Sequence, residues 1–204
     1  LRRFLDASLD TEQQARTLVY LDEDDPVLGE YRKINYPHWW TVHVGQPVGL
    51  GGVYKWVFET FPNLDYYGFL GDDLIPRTKH WDEKLIDAAG VGAISYGDDG
   101  NWGEKLATHP CIGGELVRQM GWLCYPGLNK LFIDTVWHTI GAKLGRLHYL
   151  PEVKLEHMHY LFGKAEHDKT YGDQAKDYDN DGDTYYKFIG EWEAVLEHEK
   201  DQAL

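Results

Sequence analysis

Two adjacent carboxylates, Asp72 and Asp73, follow Gly71 directly after the apolar run of Tyr66, Tyr67, Phe69 and Leu70. That run reads as a buried strand stopping at the acidic pair. Neighbouring carboxylates disfavour each other's ionisation unless a cation lies between them. A hard divalent ion, Mn²⁺ or Mg²⁺, takes carboxylate oxygens and leaves positions for phosphate, which is the chemistry such a pair can serve. Taken alone, Gly-Asp-Asp reads first as an ordinary solvated turn. Further along, Leu155-Glu-His-Met-His159 closes another extended segment. In extended backbone His157 and His159 point to one face, because side-chain direction repeats every two residues. Two carboxylates and one imidazole with open positions would make an octahedral Mn²⁺ or Mg²⁺ site for a diphosphate. An isolated His-x-His is more often a surface pair at a strand end.

These side chains need a scaffold that ends several strands at one edge. Leu1, Phe4, Leu5 and Leu9 keep helical spacing, and Thr17 to Leu21 reads as a short strand running into Asp22-Glu23-Asp24-Asp25-Pro26. Residues 26–48, with Pro26, Pro37 and Pro47, read as irregular. Gly51-Gly52 precede a helix with Val53, Trp56, Val57 and Phe61 on one face, stopped by Pro62. After the strand at 66–70, residues 76–89 read as helix and 91–96 as strand. A glycine-rich loop covers 97–114, followed by a short helix over 115–121 closed by glycine. Residues 132–144 read as a helix with Asp134 near its start, and 146–150 and 153–159 as extended. An amphipathic helix over about 182–200 turns Phe188, Trp192, Val195 and Leu196 inward. This alternation predicts an α/β sandwich with a mostly parallel sheet, in which ligands bind beyond the carboxyl ends of the strands. Asp22 to Asp25, Asp72-Asp73 and the two histidines all fall on such ends.

Composition narrows the function. The 204 residues are enough for one domain with a sizeable core, and 43% hydrophobic content excludes a disordered chain. Lys and Arg total 20 against 34 Asp and Glu, a formal charge of −14, which argues against an extended nucleic-acid surface. A local nucleotide site that recruits its own metal remains compatible with that charge. Eight Trp and 14 Tyr give a surplus of aromatic faces suited to sugar rings and bases. Cys111 and Cys124 are too few for a disulfide scaffold and read as free thiols. With no signal-peptide pattern and no apolar run long enough to span a bilayer, a soluble, cytoplasmic protein is expected.

The ordered set of features resembles a GT-A-type glycosyltransferase. The segments that carry the resemblance are Tyr67-Gly-Phe-Leu-Gly-Asp-Asp-Leu-Ile-Pro-Arg-Thr-Lys-His-Trp-Asp82, Phe132-Ile-Asp-Thr-Val-Trp137, Leu155-Glu-His-Met-His159 and Phe162-Gly-Lys-Ala165. Gly-Asp-Asp stands as a variant of that family's Asp-x-Asp metal motif. The resemblance implies a GT-A-like, Rossmann-related α/β/α sandwich that moves a sugar from a nucleoside diphosphate sugar to an acceptor hydroxyl with Mn²⁺ or Mg²⁺. It implies Asp73 as the main metal ligand and Asp72 on the metal or the donor's ribose. His157 becomes the metal-binding histidine, with His159 as the alternative, and Asp22 and Asp24 lie beside the nucleoside. Asp134 takes the place of the acceptor-side general base, although an Asp at a helix start is also a preferred N-cap. The loop 97–114, with Trp102 and His109, is the candidate acceptor lid. The family opens with a strand ahead of a helix resembling Leu1 to Leu9, so the resemblance also implies a catalytic domain over residues 1–204 without that first strand.

Two other readings stand beside it. A nucleotidyltransferase also uses paired acids, but it would carry a glycine-rich, basic phosphate loop near the start. A non-catalytic carbohydrate- or calcium-binding module is the other. Asp177-Tyr-Asp-Asn-Asp-Gly-Asp183 matches the first half of a calcium loop, yet position twelve is Phe188, where a bidentate Glu is needed. A solvated acidic turn ahead of the last helix, with Asp183 helping to cap it, is the expectation for that segment.

Overall fold

Val19 and Leu21, alternate residues of the first strand, are buried while their neighbours are less so, as a period of two requires. The computed structural model describes residues 1–164 and 174–202, with side chains of the last helix described over 178–193. In chain order the elements are α1 (Arg2–Asp10), β1 (Thr17–Asp22), α2 (Leu28–Tyr31), β2 (Trp40–Gly45), α3 (Gly49–Thr60), β3 (Tyr66–Gly68) and β4 (Leu74–Pro76). They continue with α4 (Trp81–Ala89), β5 (Ile94–Asp98), β6 (Cys111–Gly113), α5 (Gly114–Met120), α6 (Ile133–Leu144), β7 (Leu147–His157) and α7 (Gln174–Gln202).

The strands form two sheets. β1 and β2 pair in parallel, from Thr17 against Trp40 to Asp22 against Gly45. The other five form a strongly curled sheet in the order β3-β6-β5-β7-β4. Only β5 and β7 run parallel in it; β3 with β6, β6 with β5, and β7 with β4 are antiparallel. This corrects the mostly parallel, Rossmann-related sandwich expected from the sequence. The difference lies in two short elements: β6 returns antiparallel inside the stretch that reads as a glycine-rich loop, and β4 pairs antiparallel with β7 just after the acidic pair, taking in only the first residue of the expected helix. β2, in the stretch read as irregular, is the parallel partner of β1. Strands of three residues give too little alternation to register as a pattern.

Each face of the five-stranded sheet carries a core. Ile112 of β6 packs with Ile94, Leu116, Val136, Trp137, Ile140 and Phe188 under α5, α6 and α7. Its neighbour Cys111 faces the opposite way, among Phe4, Leu5, Leu74, Trp81, Leu85 and Leu155 under α1 and α4. α6 buries Ile133, Val136, Trp137, Ile140 and Gly141, the stripe of an amphipathic helix, and ends on Gly145 in the left-handed conformation. Both cysteines are free, and burial pushes their thiols up to about 12. Among the described residues, no helix is long and apolar enough to cross a membrane.

The acidic segment before the expected last helix is itself helix, because α7 begins at Gln174. Residues 178–183 therefore form no calcium loop and no solvated turn, and Asp183 is an exposed residue inside the helix. Ala165 and the side chains of Asp177, Val195 and Leu196 lie outside the described residues. Asp181 is 1% exposed, and its carboxylate accepts the backbone N–H groups of Asn129, Lys130 and Leu131 at 3.0, 2.8 and 2.7 Å. It fastens α7 to the turn that precedes α6. Truncation would leave three buried donors without an acceptor, so Asp181→Ala should lower stability in urea unfolding by roughly 3 kcal/mol. A loss within about 0.5 kcal/mol, typical of a surface position, would contradict that role.

Candidate metal centre

β7 ends between two acidic neighbours. The His157 N–H donates to the carbonyl of Asp99 at 3.0 Å, and the Met158 N–H donates to the carbonyl of Asp73 at 3.0 Å. Leu74 pairs with His157 across β4 and β7, so Asp73 is carried to the histidine although 84 positions separate them. His157 Nε2 lies 3.2 Å from Asp73 Oδ2. On the far side of the ring, Nδ1 faces Asp99 Oδ2 at 4.0 Å and has no hydrogen-bond partner, although it is buried. His109, on the short link into β6, stands edge-on to His157 with ring centroids 4.8 Å apart. One ligand atom each from Asp73, His109 and His157 lies within 4.8 Å of the others, a spacing that can hold a metal ion.

Gly71 has a steric reason to be glycine. A Cβ there would sit 2.3 Å from Asp73 Oδ1 and 3.6 Å from His109 Nε2. Gly97 has one as well, since a Cβ would sit 2.4 Å from the Val153 carbonyl. The register between β5 and β7 shifts at Gly97/Asp98, and the bulge leads into Asp99. Asp99 is 2% exposed and accepts the N–H groups of Asn101, Trp102 and Gly103 at 2.9, 2.7 and 2.9 Å. The loop expected as an acceptor lid is thus anchored at its base, with Trp102 exposed and edge-on to Phe162.

The electrostatics suit a cation. Burial raises the Asp73 pKa, but the hydrogen bond from His157 and the charges of His157 and His109 outweigh it, so the net shift is downward. Burial, reinforced by His157, drives His109 down to about 3 against the pull of Asp73 and Asp99. His109 is therefore neutral near pH 7, the form that ligates metal. Burial also pulls His159 down, with His157 adding to it.

The sequence-predicted residues divide into three groups. Asp73 and His157 meet in the cluster. His159 stands next to it, 5.2 Å from His157 ring to ring, and accepts the Leu161 N–H where the following 3-10 turn starts. Asp72 points away: it is 70% exposed and lies 3.5 Å from the Leu1 nitrogen. Asp22 closes β1 and, with Asp72 and His109, lines a cavity of about 820 Å³, whereas Asp24 is exposed and outside that lining. Burial raises the Asp22 pKa, and Asp24 and Asp25 add to the shift. Asp134 is not an N-cap. It is the second residue of α6, after Phe132 and Ile133, and its Oδ1 accepts the N–H and hydroxyl of Thr135. Burial raises it to about 6 against those hydrogen bonds, and it is close enough to His157 to feel that ring's charge. Sequence reasoning missed His109 as a candidate ligand and Asp99 as the carboxylate behind His157. A lone His before a three-residue strand carries no spacing signal, and Asp98-Asp99 reads as turn.

No protein family, curated protein or solved structure matches this chain.

Because the native pKa of Asp134 lies above the ~3.9 of an unfolded Asp, the native state holds the proton more tightly. The associated stability is complete below about pH 4 and is lost as pH rises through about 6. Asp134→Asn does not titrate, so its stability relative to the original chain should rise from pH 4 to pH 7. Thermal midpoints of the two proteins that run parallel over that range would contradict the buried, proton-retaining carboxyl.

Proposed function

We propose that this protein is a metal-dependent glycosyltransferase that uses a nucleoside diphosphate sugar and an acceptor hydroxyl. The reading rests on one juxtaposition. Asp73 of the Asp73–His109–His157 cluster also lines a cleft of about 240 Å³, with Leu1, Arg2, Arg3, Asp72, Ile75 and Met158. In a chain of net charge −14, two arginines beside a carboxylate–imidazole cluster are the groups a diphosphate needs.

The donor set fits a divalent ion. His109 is neutral, Asp73 is held ionised, and the Asp99 carboxylate stands 4.0 Å behind His157 Nδ1, beyond hydrogen-bond reach. Two imidazoles among three ligands favour Mn²⁺ over Mg²⁺, which prefers oxygen alone. A bound ion would neutralise the charge that develops on a departing diphosphate. Arg2 and Arg3 would grip the phosphate oxygens, and Asp22 and Asp72 would face the nucleoside from the acidic mouth of the larger cavity. Asp134, with its pKa near 6, is mostly ionised at pH 7 yet more basic than an ordinary carboxylate, which suits it to accept the acceptor's proton. Trp102 and Phe162 offer an aromatic face for the acceptor.

The test is calorimetry followed by turnover with a panel of nucleoside diphosphate sugars. One donor should bind with Mn²⁺ and lose binding with EDTA or in Asp73→Ala. Asp134→Asn should keep donor binding and lose roughly 10²–10⁴-fold in rate. Sugar binding that ignores the metal would make the protein a carbohydrate-binding module instead, and no metal-dependent nucleotide binding at all would overturn the proposal.

A further inference from the structure

A Cβ at Gly71 would meet Asp73 Oδ1 at 2.3 Å and His109 Nε2 at 3.6 Å, so those two atoms face one point. His157 likewise turns Nε2 toward Asp73, 3.2 Å from Oδ2. Both imidazoles therefore present Nε2 to the Asp73 carboxylate, and their Nδ1 atoms turn toward Asp99. On the His109 side, Nδ1 lies 3.1 Å from Thr108 Oγ1, and that hydroxyl donates to Asp99 Oδ2 at 3.3 Å. On the His157 side, Nδ1 faces the same Oδ2 at 4.0 Å, about 1 Å beyond hydrogen-bond length. The other oxygen of Asp99 is already occupied, because Oδ1 accepts the N–H groups of Asn101, Trp102 and Gly103.

Counting protons gives this arrangement a direction. The single hydroxyl proton of Thr108 goes to Asp99, so Oγ1 must accept from His109 Nδ1. A neutral ring with its proton on Nδ1 has a bare Nε2, the atom that can then ligate metal. His157 differs. Its Nε2 donates to the Asp73 carboxylate, and its buried Nδ1 has no hydrogen-bond partner among the described residues. Ligation through Nε2 leaves the ring proton on Nδ1, where a buried N–H needs an acceptor, and Asp99 Oδ2 is the carboxylate oxygen facing it. Hydrogen bonds at such sites are often long and tighten only in the bound complex. We infer that Asp99 is a positioning residue for both histidines: it keeps the ring proton on Nδ1, through Thr108 for His109 and by direct acceptance for His157, and so leaves both Nε2 atoms to a cation. The inference rests on the metal centre of the reading above, not on the transfer of a sugar.

Asp99→Asn separates positioning from loop anchoring. The amide oxygen keeps the three backbone N–H groups, while the NH₂ replaces Oδ2 and turns an acceptor into a donor. The Thr108 hydroxyl then accepts from that NH₂ and donates to His109 Nδ1, which puts the His109 proton on Nε2, the ligand atom. Nitrogen-15 NMR of the imidazoles at pH 7 without added metal should show His109 as the Nδ1–H tautomer in the original protein and as the Nε2–H tautomer in Asp99→Asn. With diamagnetic Zn²⁺ bound to the original protein, His157 should also carry its proton on Nδ1. Mn²⁺ affinity by calorimetry should fall roughly 10–100-fold in Asp99→Asn. Thr108→Val leaves Asp99 in place and tests the same relay should Asp99→Asn fail to fold: it should release the His109 proton from Nδ1 and weaken Mn²⁺ binding, and Thr108→Ser should restore both. Tautomers and Mn²⁺ affinity that Asp99→Asn and Thr108→Val leave unchanged would overturn the inference and make Asp99 a loop anchor alone. An original protein that binds no Mn²⁺ would instead remove the metal centre itself, and the inference with it.

Discussion

Everything at the candidate site depends on how the end of β7 is held. Its last residues are clamped between two loops by a pair of backbone hydrogen bonds, from His157 to Asp99 and from Met158 to Asp73. Those bonds require β7 to lie between β5 and β4, parallel to one and antiparallel to the other. They also require Gly97 to admit the Val153 carbonyl, and Gly71 to admit the Asp73 carboxylate. With the backbone fixed in this way, the His157 ring stands between two carboxylates, 3.2 Å from that of Asp73 and 4.0 Å from that of Asp99. Asp99 is immobilised by three backbone donors and Asp73 is shared with the neighbourhood of His109. Rigid placement of ligands before a metal arrives limits the ordering that binding must impose.

Burial then separates the titrating groups into distinct roles. Desolvation penalises charge, so it neutralises His109 and raises Asp134, while the hydrogen bond from His157 holds Asp73 anionic against its own burial. A neutral imidazole and an ionised carboxylate stand together in the cluster, and the Asp134 carboxyl, with its pKa near 6, is near enough to His157 to feel its charge. Asp24 and Asp72, in contrast, stand exposed to water.

Much of the scaffold was legible because its longer elements have strong periodicity. α1, β1, α6 and the adjacent glycine stops lie within a few residues of where the apolar spacing and capping residues place them. The sheet's direction was not legible. It turns on β4 and β6, three residues each, and such strands are specified by their partners rather than by their own pattern. Asp73 and His157 stood out because each closes an apolar run. His109 did not, because its role comes from β6 lying between β3 and β5, a tertiary fact with no local trace. Asp134 was read as either cap or base; the helix start at Ile133 removes the cap.

Diffraction at the manganese absorption edge from crystals soaked in Mn²⁺ reads the centre most directly. A metal held as described gives one strong anomalous peak ~2.2 Å from a carboxylate oxygen of Asp73 and from a ring nitrogen of each of His109 and His157. A peak seated instead on Asp22 and Asp72, or no ordered peak near Asp73, would contradict the metal centre and the transfer chemistry that rests on it.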